Sequence, residues 1–241
     1  MKRIFDLNVN GFAQQAEIST NDLKMVIDPL INDLCSQKER TNGKLIVFLA
    51  GMPGAGKSTL ALMIEARARE LECPFKFQAL GLDGFHYPQK VLDNAYATID
   101  GKRVCLATRK GCPETFDCAR FTDFLRSAQT ESEAFWPVYD RRAHDVLGEV
   151  IKVEGDILLV EGNWLLLNDE RWATAREYCA LTIQLETKPE EVRSRLIARK
   201  MRGGKTLKEA EAWYDTVDGP NCERFLMESV PAQKKIRLEM A

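Results

Sequence analysis

Short apolar runs alternate with stretches of helical period along most of this chain. Near the start, Phe5, Leu7 and Val9 alternate with polar residues, Asn10-Gly11 follows, and Phe12, Ala16 and Ile18 continue the alternation. That pattern predicts a β-hairpin with a tight turn. Leu23, Val26, Ile27, Leu30, Ile31 and Leu34 then recur at helical spacing, with Thr20 or Asn21 as the candidate cap and Pro29 as a candidate bend. From Lys44 the pattern changes. Leu45–Ala50 is a continuous apolar run, the signature of a parallel strand buried on both faces. Leu60, Ile64, Ala68 and Leu71 return at helical spacing. Further strands are predicted at Phe75–Leu82, Ile157–Val160 and Leu181–Leu185, and helices over 117–128, 168–177, 189–202 and 206–216. Strand–helix alternation predicts an α/β fold, a mostly parallel sheet flanked by helices. Residues 1–43 read as a hairpin-and-helix appendage packed on a main domain over 44–241.

The length, 241 residues, suits one domain with such an addition. Basic and acidic side chains nearly balance, 34 against 36, so no polybasic field exists to hold a nucleic-acid backbone. No run approaches 18 apolar residues and the first residues lack a signal-peptide core, so the expectation is a cytoplasmic protein without a membrane span. Seven scattered cysteines without a Cys-x-x-Cys pair, and only two histidines, argue against a disulfide framework or a structural zinc site.

Candidate chemistry enters between the first buried strand and its helix. Gly51, Met52, Pro53, Gly54, Ala55, Gly56, Lys57, Ser58 and Thr59 satisfy G-x-x-x-x-G-K-[ST] in full. The glycines let backbone N–H groups turn inward around phosphate oxygens, and the helix N-terminus adds a favourable dipole. Lys57 is placed for the β- and γ-phosphates of ATP and Ser58 for Mg²⁺. A guanine-reading Asn-Lys-x-Asp is lacking, since Thr187-Lys188-Pro189-Glu190 ends in the wrong residue, and no transporter-type Leu-Ser-Gly-Gly-Gln occurs. Small-molecule kinases remain, and these need an acid for the acceptor hydroxyl, a metal-side acid and cations for the transferred group.

The second predicted strand ends in Asp83, at the sheet edge where ligands sit in open α/β folds, although Asp83-Gly84 also reads as an exposed turn. The third ends in Glu161, a metal-side acid or a capping carboxylate. The cationic helix over 189–202 precedes Gly203-Gly204 and reads as a lid with Arg199 as its acting residue, or as a solvated face. Arg195 pairs with Glu191 at i,i+4 in either case. Asp117 reads equally as an N-cap or a ligand, and Asn221 as part of a turn or a reader of the adenine edge. Trp136, Trp164, Trp172 and Trp213 read as packing residues.

These motifs carry a family resemblance. Asp83-Gly-Phe-His-Tyr-Pro is similar to the pantothenate kinase segment that holds the catalytic aspartate. Lys110-Gly-Cys-Pro-Glu-Thr-Phe-Asp117 resembles the same enzyme's Lys-Gly-x-Pro-Glu-Ser-x-Asp. Pro137-Val-Tyr-Asp140 with His144 is similar to the uridine kinase acceptor segment. Over about residues 44–240 the chain resembles the P-loop kinases that unite uridine kinase, phosphoribulokinase and bacterial pantothenate kinase. Within them it most resembles a nucleoside-kinase-like or fructose-transport-kinase-like bacterial branch. The resemblance implies a P-loop NTPase kinase fold using ATP and Mg²⁺. It also implies Asp83 as base, and Tyr139 and His144 facing the acceptor, with Lys110 a candidate for an anionic group. Where uridine kinases place a base-stacking aromatic, Arg141 stands, which suits a smaller, polyhydroxylic or anionic acceptor. The expectation is transfer of a phosphoryl group to a hydroxyl of a sugar or sugar-like metabolite. The alternatives are a nucleoside or pantothenate-type acceptor, or an ATP-binding switch without one. The hairpin is a candidate interface between copies, because an isolated ribbon is marginal without packing.

Overall fold

The computed structural model describes residues 1–9, 11–99, 101–130, 133–141 and 143–238. Strands β1 (Lys2–Val9) and β2 (Phe12–Ser19) pair antiparallel from Lys2↔Ser19 to Val9↔Phe12. Asn10, expected at their turn, lies outside the described residues. The chain continues as helix α1 through Thr20–Asp22, Leu23–Ile27 and Asp28–Glu39. Its cap is Ser19 rather than Thr20 or Asn21. Ser19 has the extended backbone of a cap and accepts from the Asp22 N–H at 2.9 Å, whereas Thr20 is already helical and donates its hydroxyl to Met1 O. Pro29 does not break the helix, because residues 23–27 widen into a π-turn just before it. A π-turn accommodates a ring that lacks an N–H and crowds the preceding turn.

The remaining elements follow as β3 (Leu45–Ala50), α2 (Lys57–Glu70), β4 (Phe77–Gly81), a ribbon of β5 (Tyr96–Ile99) and β6 (Lys102–Cys105), and α3 (Cys118–Thr130). A second hairpin of β7 (Phe135–Asp140) and β8 (Asp145–Lys152) leads to β9 (Ile157–Gly162), α4 (Glu170–Arg176), β10 (Leu181–Glu186) and α5 (Pro189–Arg202). Last come α6 (Leu207–Trp213), a π-turn at Tyr214–Asp218, α7 (Gly219–Glu228) and β11 (Lys234–Arg237). The central sheet is parallel throughout, in the order β11-β10-β3-β9-β4. Every residue of β3 is buried, as its unbroken apolar run requires for a strand covered on both faces. The parallel register sets Ala50 beside Gly162 and Gly81 beside Glu161, so the carboxyl ends of β3, β4 and β9 share one edge. Asp218-Gly-Pro-Asn221 is not a turn: it carries the π-turn into α7, with Pro220 in the first helical turn where its missing N–H costs nothing.

Phe5, Ala16 and Ile18 on the hairpin and Leu23, Ile27, Leu30, Ile31 and Leu34 on α1 are buried in the same hydrophobic core as β3 and α2. Polar ties reinforce this packing. Arg67 on α2 donates two parallel bonds of 2.8 Å to Asp28 on α1, and Arg3 on β1 pairs with Glu70 at 2.7 Å. Removing a forked, charge-assisted pair that is about one-fifth exposed costs about 1–2 kcal/mol after solvent screening. Arg67→Ala is expected to lower the unfolding free energy by that amount, read as a lower urea midpoint at an unchanged slope. The hydrogen bond from Arg3, helped by Arg67 against partial burial, holds the Glu70 carboxyl below its ordinary range. A depressed carboxylate stabilises the fold above the unfolded-state value and loses that contribution as pH falls through the folded one. Arg3→Ala therefore destabilises at neutral pH and becomes silent in strong acid.

Candidate active site

The loop from Gly51 to Gly56 joins β3 to α2 at the shared edge. Gly54 (φ +77°) and Gly56 (φ +99°) occupy the left-handed region, which only glycine enters without strain. A Cβ on Gly54 would also stand 2.8 Å from Leu196 Cγ, so this loop and α5 are fitted against each other. Lys57 opens α2 and is buried. Its Nζ donates to Met52 O at 2.9 Å and to Asn163 Oδ1 at 2.6 Å. Burial pushes the ammonium's pKa down, with Glu161 and Asp83 pulling it back. Ser58 Oγ donates to Glu161 Oε1 at 2.5 Å. Burial pushes the Glu161 carboxyl up, Lys57 opposing and Asp83 adding to the shift.

Asp83 lies in the 3-10 turn Leu82–Phe85 that caps β4. That turn is pinned from below. Phe85 is fully buried, its ring edge-on to Trp136 at 5.0 Å and to Phe121 at 5.1 Å, and Trp136 donates its indole N–H to Gly81 O at 2.8 Å. Arg141 donates through Nη2 to Asp83 Oδ2 at 2.8 Å. Asp83 keeps 36% of its side-chain surface open, so water reaches it from the cleft while protein crowds its other sides. Burial alone raises a carboxyl, but Arg141, His86, Lys57 and Arg199 together hold Asp83 below its ordinary value.

His86 carries a signal that the sequence reading quoted without assigning a role. Its Nδ1 lies 2.9 Å from Asp83 O, and a carbonyl only accepts, so Nδ1 carries the proton. Burial pushes its pKa down against the pull of Asp83, which favours the neutral ring with Nε2 as a hydrogen-bond acceptor. The ring stacks on Phe116 at 3.8 Å and lies 5.5 Å from Tyr139. Burial pushes the Tyr139 phenol up to about 12, so it remains a donor. Lys110 sits 5.0 Å from the Tyr139 ring centre and donates to Gln89 Oε1 at 2.8 Å and His144 O at 2.6 Å.

Asp83, Lys57, Ser58, Glu161, Tyr139, Arg141 and Lys110 thus gather at one edge, and Arg199 on α5 acts on them through its charge. Arg199 is open to solvent on one side and makes no hydrogen bond to another described residue. Burial, reinforced by Arg141, lowers its pKa, with Asp218 and Asp83 opposing. His144 departs from the expectation that it faces the acceptor. It is an exposed tip residue between β7 and β8 with φ +52°, and its backbone oxygen, not its ring, meets Lys110. Asp117 is a cap, accepting from the Arg120 N–H at 3.0 Å. Asn221 is buried on α7 against Gly111, and both Glu114 carboxylate oxygens accept from the one Arg224 Nη1, at 2.8 and 2.9 Å. Trp136, Trp164 and Trp172 are fully buried packing residues, while Trp213 is half-buried beside Lys200 at 4.1 Å. Asn163 and the Arg141–Asp83 pair are the contacts that sequence reasoning missed.

A phosphate loop at the carboxyl edge of a parallel sheet, with a hydroxyl–carboxylate pair and a second acid at neighbouring strand ends, defines a P-loop kinase fold. The chain belongs to the P-loop family described as "AAA domain", which its residues 47–214 match. It is 39% identical over 226 residues to the Escherichia coli K12 protein named "Uncharacterized protein YggC", covering 93% of this chain and 91% of that one. It is 31% identical over 173 residues to a "Putative uridine kinase" of Schizosaccharomyces pombe, covering 70% of this chain and 72% of that one. The crystal structure of a "putative fructose transport system kinase" from Silicibacter sp. TM1040 superimposes with a TM-score of 0.78 at 25% identity. That match covers 88% of this chain and 99% of the other. The chain is a kinase-like P-loop protein, and none of its described helices is long and apolar enough to cross a membrane.

Proposed function

We propose that this chain is an ATP-dependent kinase that transfers the γ-phosphoryl group to a hydroxyl of a small sugar or sugar-like metabolite. The observation that carries the reading is the convergence of Asp83 with Lys57 and the Ser58–Glu161 pair at one sheet edge. A switch needs the loop alone, whereas a second acid facing the phosphate lysine is what an acceptor hydroxyl requires. In this reading Asp83 orients the acceptor hydroxyl and takes its proton. His86 Nε2 and the Tyr139 hydroxyl offer one acceptor and one donor to a polyol, and Lys110 lies at the far end of that wall. Lys57 leaves Met52 O and Asn163 for phosphate oxygens. Residues 44–241 form the kinase domain and residues 1–43 an addition to it.

Mg²⁺ suits the Ser58–Glu161 pair. Among the described residues no group of three or more His, Cys, Asp or Glu is set to hold a metal, and two hard oxygens 2.5 Å apart fit an ion that keeps waters and takes substrate phosphates. When bound, Mg²⁺ neutralises charge on those phosphates. Glu161→Gln is expected to raise the Mg²⁺ concentration for half-maximal activity by about 10–100-fold. A titration of activity against Mg²⁺ reads this directly.

The test of the whole reading is ADP release from Mg-ATP against a panel of ketoses, pentoses, polyols, nucleosides and pantothenate. One acceptor is expected to raise turnover by several decades. ATP binding without stimulation by any acceptor overturns the reading in favour of a nucleotide switch.

A further inference from the structure

Arg141 and Arg199 come from different elements, the β7–β8 tip and α5; Arg141 bonds to Asp83, and the charge of Arg199 acts on both. We propose that Arg141 is a second arginine for the transferred phosphoryl group, leaving Asp83 to close on that group together with Arg199. This rests on the kinase reading above.

Three observations carry it. First, the resting pose of Arg141 is incomplete. One arm reaches Asp83 at 2.8 Å, while its Nε–H is buried and has no hydrogen-bond partner among the described residues. A buried donor left without a partner is destabilising, and the guanidinium fork is built for two oxygens rather than one. Second, Arg199 has no hydrogen-bond partner among the described residues, yet its helix is fastened to the phosphate loop. One turn earlier Arg195 donates to Ala55 O at 3.4 Å, and Leu196 fills the space beside Gly54. Residues four apart share a helix face, so Arg199 projects from the same side as Arg195. Third, Arg141 and Arg199 repel each other while Asp83 attracts both. Two guanidiniums in mutual repulsion around one carboxylate are relieved by an anion between them, and the group that arrives there during turnover is the phosphoryl in flight.

The step balances without further reactants. The acceptor O–H gives its proton to the Asp83 carboxylate as the new O–P bond forms. The bond from the γ-phosphorus to the bridging oxygen breaks, and ADP leaves with its electron pair. Arg141 cannot serve the Asp83 oxygen that takes the proton and remain fully bonded to it, so its transfer to the phosphoryl oxygens accompanies proton transfer.

The probe is ADP with Mg²⁺ and aluminium fluoride, a mimic of the phosphoryl in flight. Calorimetry gives the ADP affinity with and without fluoride for the wild type, Arg141→Gln, Arg141→Lys, Arg199→Gln and the double variant, with melting temperatures as the folding control. Fluoride is expected to tighten ADP in the wild type. Arg141→Gln should cut that tightening by about 10–100-fold, far more than it changes ADP affinity without fluoride, and Arg199→Gln should do the same. Arg141→Lys should recover part of the effect, since it keeps the charge and loses the fork. Full tightening in Arg141→Gln overturns the inference and returns Arg141 to the acceptor or to Asp83 alone. Wild-type ADP binding without tightening overturns the inference while the acceptor panel still judges the kinase reading. No ADP binding at all removes both.

Discussion

Gly84→Ala is expected to lose about 3–5 kcal/mol of stability, an effect at the far end of what single substitutions do. A Cβ at this position would lie 1.9 Å from Pro137 O and 2.4 Å from its carbonyl carbon, and both are backbone atoms that no rotamer change can move. Relief requires β7 to separate from the Leu82–Phe85 turn by more than an ångström. That opens the contact of Phe85 with Trp136 and the bond from the Trp136 indole to Gly81. For a chain of this length the melting temperature should fall by about 6–20 °C. Gly148 on β8 is the control: nothing lies within 4 Å of its Cβ position, so Gly148→Ala should leave the melting temperature nearly unchanged. Because Asp83 precedes Gly84, phosphoryl transfer in the folded fraction of Gly84→Ala should fall as well. Equal stability in the two alanine variants overturns the packing argument.

This contact also marks where sequence reading reached its limit. β3 and the phosphate loop were legible because their causes are local. An apolar run on both faces means a covered strand, and glycines at fixed spacing before Lys57 mean a backbone cradle. Glu161 and Asp83 were legible as strand ends. β11 was not, since of Lys234, Lys235, Ile236 and Arg237 only Ile236 is buried, and pairing with β10 rather than composition makes it a strand. The β7–β8 hairpin was hidden by Pro137, which the structure accommodates with register shifts on either side of it. In the site, the Arg141–Asp83 bond spans 58 residues and the Lys57–Asn163 bond 106. No periodicity or spacing encodes such pairs, because the sheet register brings them together. His144 was misplaced for a related reason: its motif fixes the hairpin, but a left-handed backbone at the tip decides what its ring meets.

Asp83→Asn carries the largest expected effect on chemistry. Asparagine keeps the shape of the side chain and one oxygen for orientation, but it cannot take a proton. Loss of a positioned base typically lowers turnover by about 10²–10⁴-fold, and among the described residues the other acid at this edge is Glu161, which is engaged elsewhere. Glu161 is tied to Ser58 at 2.5 Å, and burial raises its pKa. ATP affinity should hold or tighten, because removing a negative charge beside Lys57 and Arg199 lessens repulsion of the phosphates. A fall in turnover with ATP binding intact separates this from misfolding. The pH dependence supplies a second check. Burial raises the Asp83 carboxyl, but Arg141, the largest of the charges beside it, holds it below the ordinary value with His86, Lys57 and Arg199 adding to the effect. In the parent, the acid limb of kcat/KM therefore lies below the ordinary carboxylate range. In Arg141→Gln the burial contribution is less opposed, Asp83 protonates at higher pH and the limb moves up. A limb that stays fixed when Arg141 is neutralised assigns the proton transfer to a group other than Asp83.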